Sequence, residues 1–150
     1  MTHLLDVNVL VALFDPDHLH HEAAHTWFAS ARRSGWATCP LTENGLVRVL
    51  SNPAYPGRRT TVADAVERLR MFTGSGSHVY WPDEISLLDP AHVEATHLAG
   101  HREVTDAYLL ALAVQHQGTL ATFDRKVRTA AAVGAEKEHL LVLTPAVAAG

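Results

Sequence analysis

Hydrophobic and polar positions along the chain predict short strands that alternate with helices. Short apolar or β-branched stretches predict strands at 3–6, 36–39, 78–81, 119–123 and 140–143. Apolar residues at helical spacing or in longer runs predict helices at 7–14, 18–33, 42–50, 61–72, 91–100, 105–117 and 125–132. Because such alternation is typical of a parallel sheet, we expect an α/β fold with helices on both faces.

The stretch 104–127 carries the strongest pattern. Its residues from Ala107 to Val114 are almost all apolar or aromatic, so the helix they form has no obvious solvent face and should be buried. We expect Thr105 to cap the start of this helix and Gly118 to supply the left-handed residue that ends it. The next residues, 119–123, suit an inner strand.

Four acidic residues lie at the ends of predicted elements. Asp6 and Asp124 follow predicted strands, whereas Glu43 and Asp106 lie in the first turns of predicted helices, Glu43 just after the expected N-cap Thr42. Taken alone, Asp124 is explained as a helix cap, Asp106 and Glu43 as partners of a helix dipole, and Asp6 as a solvated turn residue, although apolar residues flank it. In a parallel α/β fold, however, all four positions fall at the same edge of the sheet, where such folds bind ligands.

The four acids together predict a cation site. Ionised carboxylates close to one another repel, so at neutral pH the cluster must hold either protons or cations. Oxygen ligands without cysteine or histidine suit Mg²⁺ or Mn²⁺. Ions of this kind support the hydrolysis of phosphodiester bonds.

Composition limits the classes of protein that fit. The chain has 150 residues, which suggests one domain, and its net charge of −4 argues against nucleic-acid binding through bulk positive charge. A metal-dependent nuclease remains compatible, because cations cancel an acidic pocket locally. The single cysteine, Cys39, rules out an intramolecular disulfide. We see neither a signal peptide nor a membrane-spanning segment, and expect a soluble cytoplasmic protein.

A second metal motif lies in the histidine-rich part of the predicted helix 18–33. The residues His21-Glu22-Ala23-Ala24-His25 match H-E-x-x-H, in which two histidines bind zinc and the glutamate activates water. A zinc metallopeptidase is therefore an alternative. Two observations weigh against it: the apolar positions Leu19, Ala23 and Trp27 lie on another face of the helix, and no following loop offers a third ligand.

Four motifs together resemble a known family. The segments L-L-D-V-N-V-L-V-A-L, T-E-N-G-L-V-R-V-L, V-T-D-A-Y-L-L-A-L-A and L-A-T-F-D-R occur in this order along the chain. They resemble the PIN-domain ribonucleases, and more narrowly the VapC-type toxins of bacterial type II toxin–antitoxin pairs. The resemblance implies a single PIN-like domain over 1–150 and a metal-dependent endoribonuclease with a Mg²⁺ or Mn²⁺ site. It also implies a VapB-like antitoxin and a homodimer.

The resemblance also assigns roles to residues. It implies that Asp6, Asp106 and Asp124 are the main metal ligands and that Glu43 serves a second ion or the attacking water. Asn8 and Thr122 are expected to support these ligands. The expected RNA contacts are Arg48, Arg58, Arg59, Arg125 and Lys126, for each of which ordinary surface charge is the alternative. A PIN-like binding module without activity is a further alternative, although the complete set of acids argues against it.

Overall fold

The computed structural model describes residues 1–145, which contain five α-helices and five short strands. The strands are β1 (His3–Leu5), β2 (Trp36–Thr38), β3 (His78–Tyr80), β4 (Thr119–Thr122) and β5 (Leu140–Val142). The helices are α1 (Val7–Phe14), α2 (His21–Ser34), α3 (Pro40–Ser51), α4 (Val62–Thr73) and α5 (Val104–Gln115). This architecture confirms the predicted α/β class with a five-stranded sheet.

The strands form one parallel sheet in the order β3-β2-β1-β4-β5. At its centre, Leu4 of β1 lies opposite Ala37 of β2 on one side and Leu120 of β4 on the other. Because all neighbouring pairs are parallel, the carboxyl ends of the strands lie at one edge of the sheet. The residues that follow β1 and β4 are therefore neighbours at the middle of that edge.

Each face of the sheet is covered by its own apolar cluster. Successive side chains of a strand point to opposite faces, and Leu5 accordingly packs with residues of α1, α2, α3 and α4. Leu4 and Leu120 pack on the other face, against α5. All residues from Ala107 to Ala113 are buried, as the apolar pattern of this helix predicts. The two faces fix α1 and α5 against the central strands.

The ends of α5 differ from the prediction. The helix begins at Val104 and continues a 3₁₀ turn at His101–Glu103, so Thr105 is not its N-cap. At the other end Gln117, with φ of 55°, takes the left-handed conformation expected of Gly118. Gly118 is needed for a different reason: a Cβ there would lie 2.5 Å from the carbonyl oxygen of Thr2.

Two predicted helices, 91–100 and 125–132, are not α-helical. Part of the first, Ala95–His97, forms one 3₁₀ turn, and the second consists of turns and irregular backbone. The two segments pair with each other instead, through a bridge between Val93 and Ala132 and a hydrogen bond from Glu94 N to Ala131 O. Their backbone groups are thus satisfied by each other, and no helix is needed to satisfy them.

Helices α2 and α3 begin at other residues than predicted. α2 starts at His21 rather than at residue 18, and it buries Ala24, Phe28 and Ala31, whereas Leu19 is exposed and Ala23 and Trp27 are only partly buried. α3 starts at Pro40, so Thr42 is not its N-cap but lies within the first turn.

Within residues 1–145, none of the helices combines the length and the hydropathy that crossing a membrane requires.

Candidate active site

Asp6 connects β1 to α1 at the middle of the carboxyl edge. It is the N-cap of α1, and its Oδ1 accepts a hydrogen bond of 2.8 Å from the backbone N–H of Val7. Its Oδ2 accepts a 2.7 Å bond from the hydroxyl of Thr122. Burial raises the pKa of Asp6, as does the charge of Asp124, whereas both hydrogen bonds act in the opposite direction. The Asp6 carboxylate is thus buried, and a hydrogen bond fixes each of its two oxygens.

A network of polar groups at the end of β4 supports Asp6. The fully buried hydroxyl of Thr122 accepts from Asn8 Nδ2 at 3.0 Å and from the backbone N–H of Asp124 at 3.1 Å, while it donates to Asp6. Asn8 Oδ1 accepts from the backbone N–H of Phe123 at 3.1 Å. Since the amide of Asn8 both donates and accepts, its orientation is fixed, and the ends of β1 and β4 are held together.

The charges of Asp6 and Asp124 act on Asp106 at this edge. Asp106 lies half-buried in the first turn of α5, and its pKa is raised to about 6. Burial is the largest cause, followed by the negative charges of Asp6, Asp124 and Glu103. The structure therefore brings together Asp6, Asp106 and Asp124, as the positions of these residues along the chain predict.

Glu43, the fourth predicted acid, has different neighbours. Its Oε2 accepts a 2.7 Å hydrogen bond from the hydroxyl of Thr38, the last residue of β2. The single hydroxyl proton of Thr38 is used in that bond, so His78 Nε2, 2.8 Å from the same oxygen, must carry a proton and donate it. Glu43 is not among the charges that raise the pKa of Asp6 or Asp106. Its carboxylate is held by β2 and β3.

Thr38 and His78 are the site residues that the sequence analysis did not identify. One signal for Thr38 was present, since it is a polar residue at the end of an apolar strand, as Thr122 is in β4. His78 had no such signal. It reaches Thr38 only because β3 pairs with β2, a neighbour relationship that no local pattern reveals.

Close packing of α1 and α3 sets the position of Glu43 relative to Asp6. A Cβ on Gly45 would lie 2.5 Å from a methyl group of Val7, the residue after Asp6. The missing side chain of Gly45, in the second turn of α3, lets this helix approach the start of α1. Glu43, two residues before Gly45, is thereby carried on a helix that touches the residue after Asp6.

The residues expected to contact RNA are distributed over separate surfaces. Lys126 lines a cavity of about 400 Å³ together with Asp106 and Asp124, and the exposed Arg125 precedes it. Arg58 and Arg59 line another cavity, of about 690 Å³, beside the C-terminus of α1. Arg48 lies in a groove between α1 and α3. Among these residues, Lys126 is the one that shares a cavity with the aspartates.

The H-E-x-x-H histidines cap the C-terminus of α1. His21 Nδ1 donates to the carbonyl oxygen of Ala12 at 2.7 Å, and His25 Nε2 donates to that of Leu13 at 2.9 Å. The next carbonyl, that of Phe14, accepts from Arg68 at 2.6 Å. These are the carbonyl groups that a helix end leaves without partners. The motif therefore has a structural explanation, and the geometry does not favour the zinc peptidase alternative.

The aspartates form an electrostatic cluster rather than a closed cage of ligands. Within residues 1–145, no three histidine, cysteine or acidic side chains are gathered closely enough to enclose a metal ion. In the same range, Asp6, Asp106 and Asp124 make no ion pair. Mg²⁺ keeps several waters and binds through one or two carboxylates plus substrate phosphates, so an open set of this kind fits it. The donor chemistry and the uncompensated charge both suit a divalent cation.

Comparison with known proteins identifies the family. The family model described as PIN domain matches residues 3–133. The chain belongs to the PIN domain family, in its VapC-type branch. It is 46% identical over 143 residues to Ribonuclease VapC44 of Mycobacterium tuberculosis strain H37Rv, covering 95% of this chain and all of that protein. It is also 43% identical over 134 residues to Ribonuclease VapC39 of the same strain, covering 89% and 96% of the two chains.

A solved structure agrees with the fold. The structure of FitAB bound to an IR36 DNA fragment superposes with a TM-score of 0.54 at 20% identity, covering 81% of this chain and 85% of the other. At this identity the likeness concerns the fold alone. The resemblance inferred from the four sequence motifs is therefore confirmed by the family model and by the relatives.

Proposed function

We propose that this chain is a metal-dependent endoribonuclease and the toxin of a type II toxin–antitoxin pair, which inhibits growth by cleaving RNA. The observation that carries the proposal is the convergence of three aspartates: the hydroxyl of Thr122 bonds both the Asp6 carboxylate and the Asp124 backbone, and Asp106 and Asp124 line one cavity. Burial and the charges of Asp6 and Asp124 contribute to raising the pKa of Asp106 to about 6. Such a cluster is short of positive charge, and a divalent cation supplies it. The ribonuclease names of relatives that match nearly the whole chain add support.

The proposed metal ligands are Asp6, Asp106 and Asp124, directly or through water. Glu43 is proposed to serve a second ion or to orient the attacking water. A bound Mg²⁺ or Mn²⁺ activates water and offsets the charge that develops on the phosphate during hydrolysis. Carboxylate oxygens are the ligands that these ions prefer.

The chain's own residues prepare this site. Thr122 donates to Asp6 and so favours the ionised carboxylate that a cation requires. Asn8 fixes the hydroxyl of Thr122, because its amide is itself held by the backbone of Phe123. Thr38 and His78 fix Glu43 in the same way from the neighbouring strands. Both carboxylates are thus held before any ligand arrives.

The proposed partners follow from the family. We propose a VapB-like antitoxin whose tail occupies the active site, and a homodimer of single PIN-like domains that each comprise residues 1–150. Size-exclusion chromatography with light scattering checks the dimer. Co-expression with a VapB-like antitoxin checks the inhibition of cleavage.

The decisive experiment is cleavage of total cellular RNA by the purified protein, with Mn²⁺ or with EDTA. We expect discrete fragments from the wild type with Mn²⁺, and none with EDTA or from Asp106→Asn. Glu22→Gln removes an exposed carboxylate on α2 and should cleave like the wild type. Full activity of Asp106→Asn would contradict the proposal. Failure of the wild type on every RNA would favour an inert binding module.

A further inference from the structure

A cavity of about 400 Å³ adjoins the aspartate cluster on the side of α5. Asp106 and Asp124 form one wall of this cavity. Its other walls come from the segment 97–103 before α5 and from the segment 126–131 after β4. The cavity is thus in direct contact with the proposed reaction centre and extends away from it.

Glu103 holds together the two segments that form the walls of this cavity. Its Oε1 accepts from Arg128 Nε at 3.0 Å and from Nη2 of the same side chain at 2.6 Å. Its Oε2 accepts from the backbone N–H groups of Ala99, at 2.6 Å, and Gly100, at 3.2 Å. One carboxylate therefore joins the two segments that form the cavity, and it compensates the charge of Arg128.

Two further cations at the cavity are not compensated. Arg102 and Lys126 both line the cavity and are exposed. Within residues 1–145 neither of them makes an ion pair. The cavity therefore has carboxylates at one end and two unpaired cations along its rim.

The lining limits what the cavity can bind. Its base is made of small or apolar side chains, including Ala107, Val127 and Ala131, all of them buried. No phenylalanine, tyrosine or tryptophan lines it; its one aromatic ring is the imidazole of His97, which is held by a 3.0 Å hydrogen bond to the carbonyl oxygen of Ala130. Free cations above an apolar base suit a sugar-phosphate unit, whose phosphate takes the charge contacts.

We propose that this cavity is a substrate subsite that holds the nucleotide next to the scissile phosphodiester, with Arg102 and Lys126 binding its phosphate. This inference rests on the proposed ribonuclease function. RNA is the occupant that the position of the cavity favours, because the cavity opens directly onto Asp106 and Asp124 of the proposed reaction centre. An RNA chain whose scissile phosphate is held at the cation site places its next phosphate at the rim.

The test measures cleavage and binding of a short single-stranded RNA that contains a mapped cleavage site. We expect Arg102→Gln and Lys126→Gln each to raise KM and the Kd in EDTA about fivefold to tenfold, with kcat within about twofold. Each should also reduce the slope of log Kd against log salt by about 0.7, as expected for one lost phosphate contact on a single strand. The cleavage position should not change, because phosphate contacts carry no base information.

Arg33→Gln is the matched control. Arg33 is an exposed residue of α2, three positions before β2 begins, and so lies near the opposite, amino edge of the sheet. It should leave KM and the salt slope unchanged. An equal loss of affinity in Arg33→Gln would overturn the proposal, because it would show a general effect of charge.

A second variant tests the cavity without changing charge. Ala130 is exposed and lines the cavity, so Ala130→Phe should narrow the cavity and lower kcat/KM about tenfold while Tm stays the same.

If the wild type cleaves RNA but Arg102→Gln, Lys126→Gln and Ala130→Phe all behave like the wild type, the proposed subsite is wrong and the proposed function stands. If these variants bind RNA normally but lose affinity for an acidic protein partner, the cavity is a protein-binding site instead. A wild type that neither binds nor cleaves RNA overturns both proposals.

Discussion

The hydroxyl of Thr38 donates a 2.7 Å hydrogen bond to Glu43 Oε2 and accepts one from His78 Nε2 at 2.8 Å. Thr38 is fully buried, whereas Glu43 is only partly so. The chain of bonds runs from β3 through β2 to the first turn of α3. It fixes the direction of the Glu43 carboxylate, so Thr38 is a positioning residue for the proposed reaction.

Replacing Thr38 by valine keeps the shape and removes the hydroxyl. We expect Thr38→Val to lower kcat about tenfold with KM within about twofold, because RNA still binds while Glu43 is free to turn. Mn²⁺ affinity, measured by calorimetry, should fall as well. Thr38→Ser keeps the hydroxyl and should restore both quantities to near the wild-type values. A Thr38→Val enzyme with unchanged kcat and Mn²⁺ affinity would show that the bond only stabilises the fold.

Thr122 is predicted to matter for stability as well as activity. Thr122→Val removes the hydroxyl that donates to the buried Asp6 and that accepts from Asn8 and from the Asp124 backbone. Losing a hydrogen bond to a buried charge costs about 1.5–3 kcal/mol. We expect a loss of this size in urea unfolding and a much smaller one for Thr122→Ser. Equal stability of Thr122→Val and the wild type would mean that water or a side-chain movement replaces the bond.

The positions of the acids could be predicted because they depend on element ends. A strand that ends at Leu5 or Thr122 places the next acidic residue at the carboxyl edge, whatever the packing elsewhere. Glu43 was predicted in the same way, but the contact of Thr38 with His78, which leaves the Thr38 hydroxyl to donate to Glu43, depends on the pairing of β3 with β2. That contact joins residues 40 positions apart, and periodicity carries no information about it.

The wrong prediction of two helices has the same explanation. The segments 91–100 and 125–132 contain apolar residues at helical spacing, yet Val93 and Ala132 pair across the molecule. Long-range pairing here outweighs a weak local preference, as tertiary contacts often do. The consequence matters for function, because these segments contribute walls of the cavity beside Asp106.

The capping role of His21 predicts a stability effect without a catalytic one. His21→Ala leaves the carbonyl of Ala12, a fully buried residue, without its donor, which costs about 1–3 kcal/mol. We expect that loss in thermal or urea unfolding, with RNA cleavage within about twofold at a temperature where the variant is folded. A zinc site would instead require that His21→Ala and Glu22→Gln both abolish activity and that the purified protein contain zinc. Metal analysis together with the two cleavage rates distinguishes the explanations.

The raised pKa of Asp106 predicts how the stability of the protein depends on pH and on bound metal. Its pKa is raised to about 6 in the fold, from 3.8, by burial and by the charges of Asp6, Asp124 and Glu103. The folded state therefore binds the proton more tightly than the unfolded state, and stability is lost as pH rises from about 4 to 6. Asp106→Asn has no such titration. In EDTA it should match the wild type below pH 4 and exceed it above pH 6, by about 1–2 kcal/mol because partial exposure reduces the full effect.

Divalent cations should reverse the difference in stability between the wild type and Asp106→Asn. A cation that binds the folded state stabilises it by mass action, and it removes the repulsion that destabilises the wild type. We therefore expect millimolar Mn²⁺ to raise the Tm of the wild type at pH 7 by several degrees and that of Asp106→Asn by much less. The decisive comparison is the sign of the Tm difference between the two proteins, with EDTA and with Mn²⁺. If Asp106→Asn were already the less stable protein in EDTA at pH 7, Asp106 would be a structural residue of α5. The acidic edge would then not be held in a repulsive state that a cation relieves.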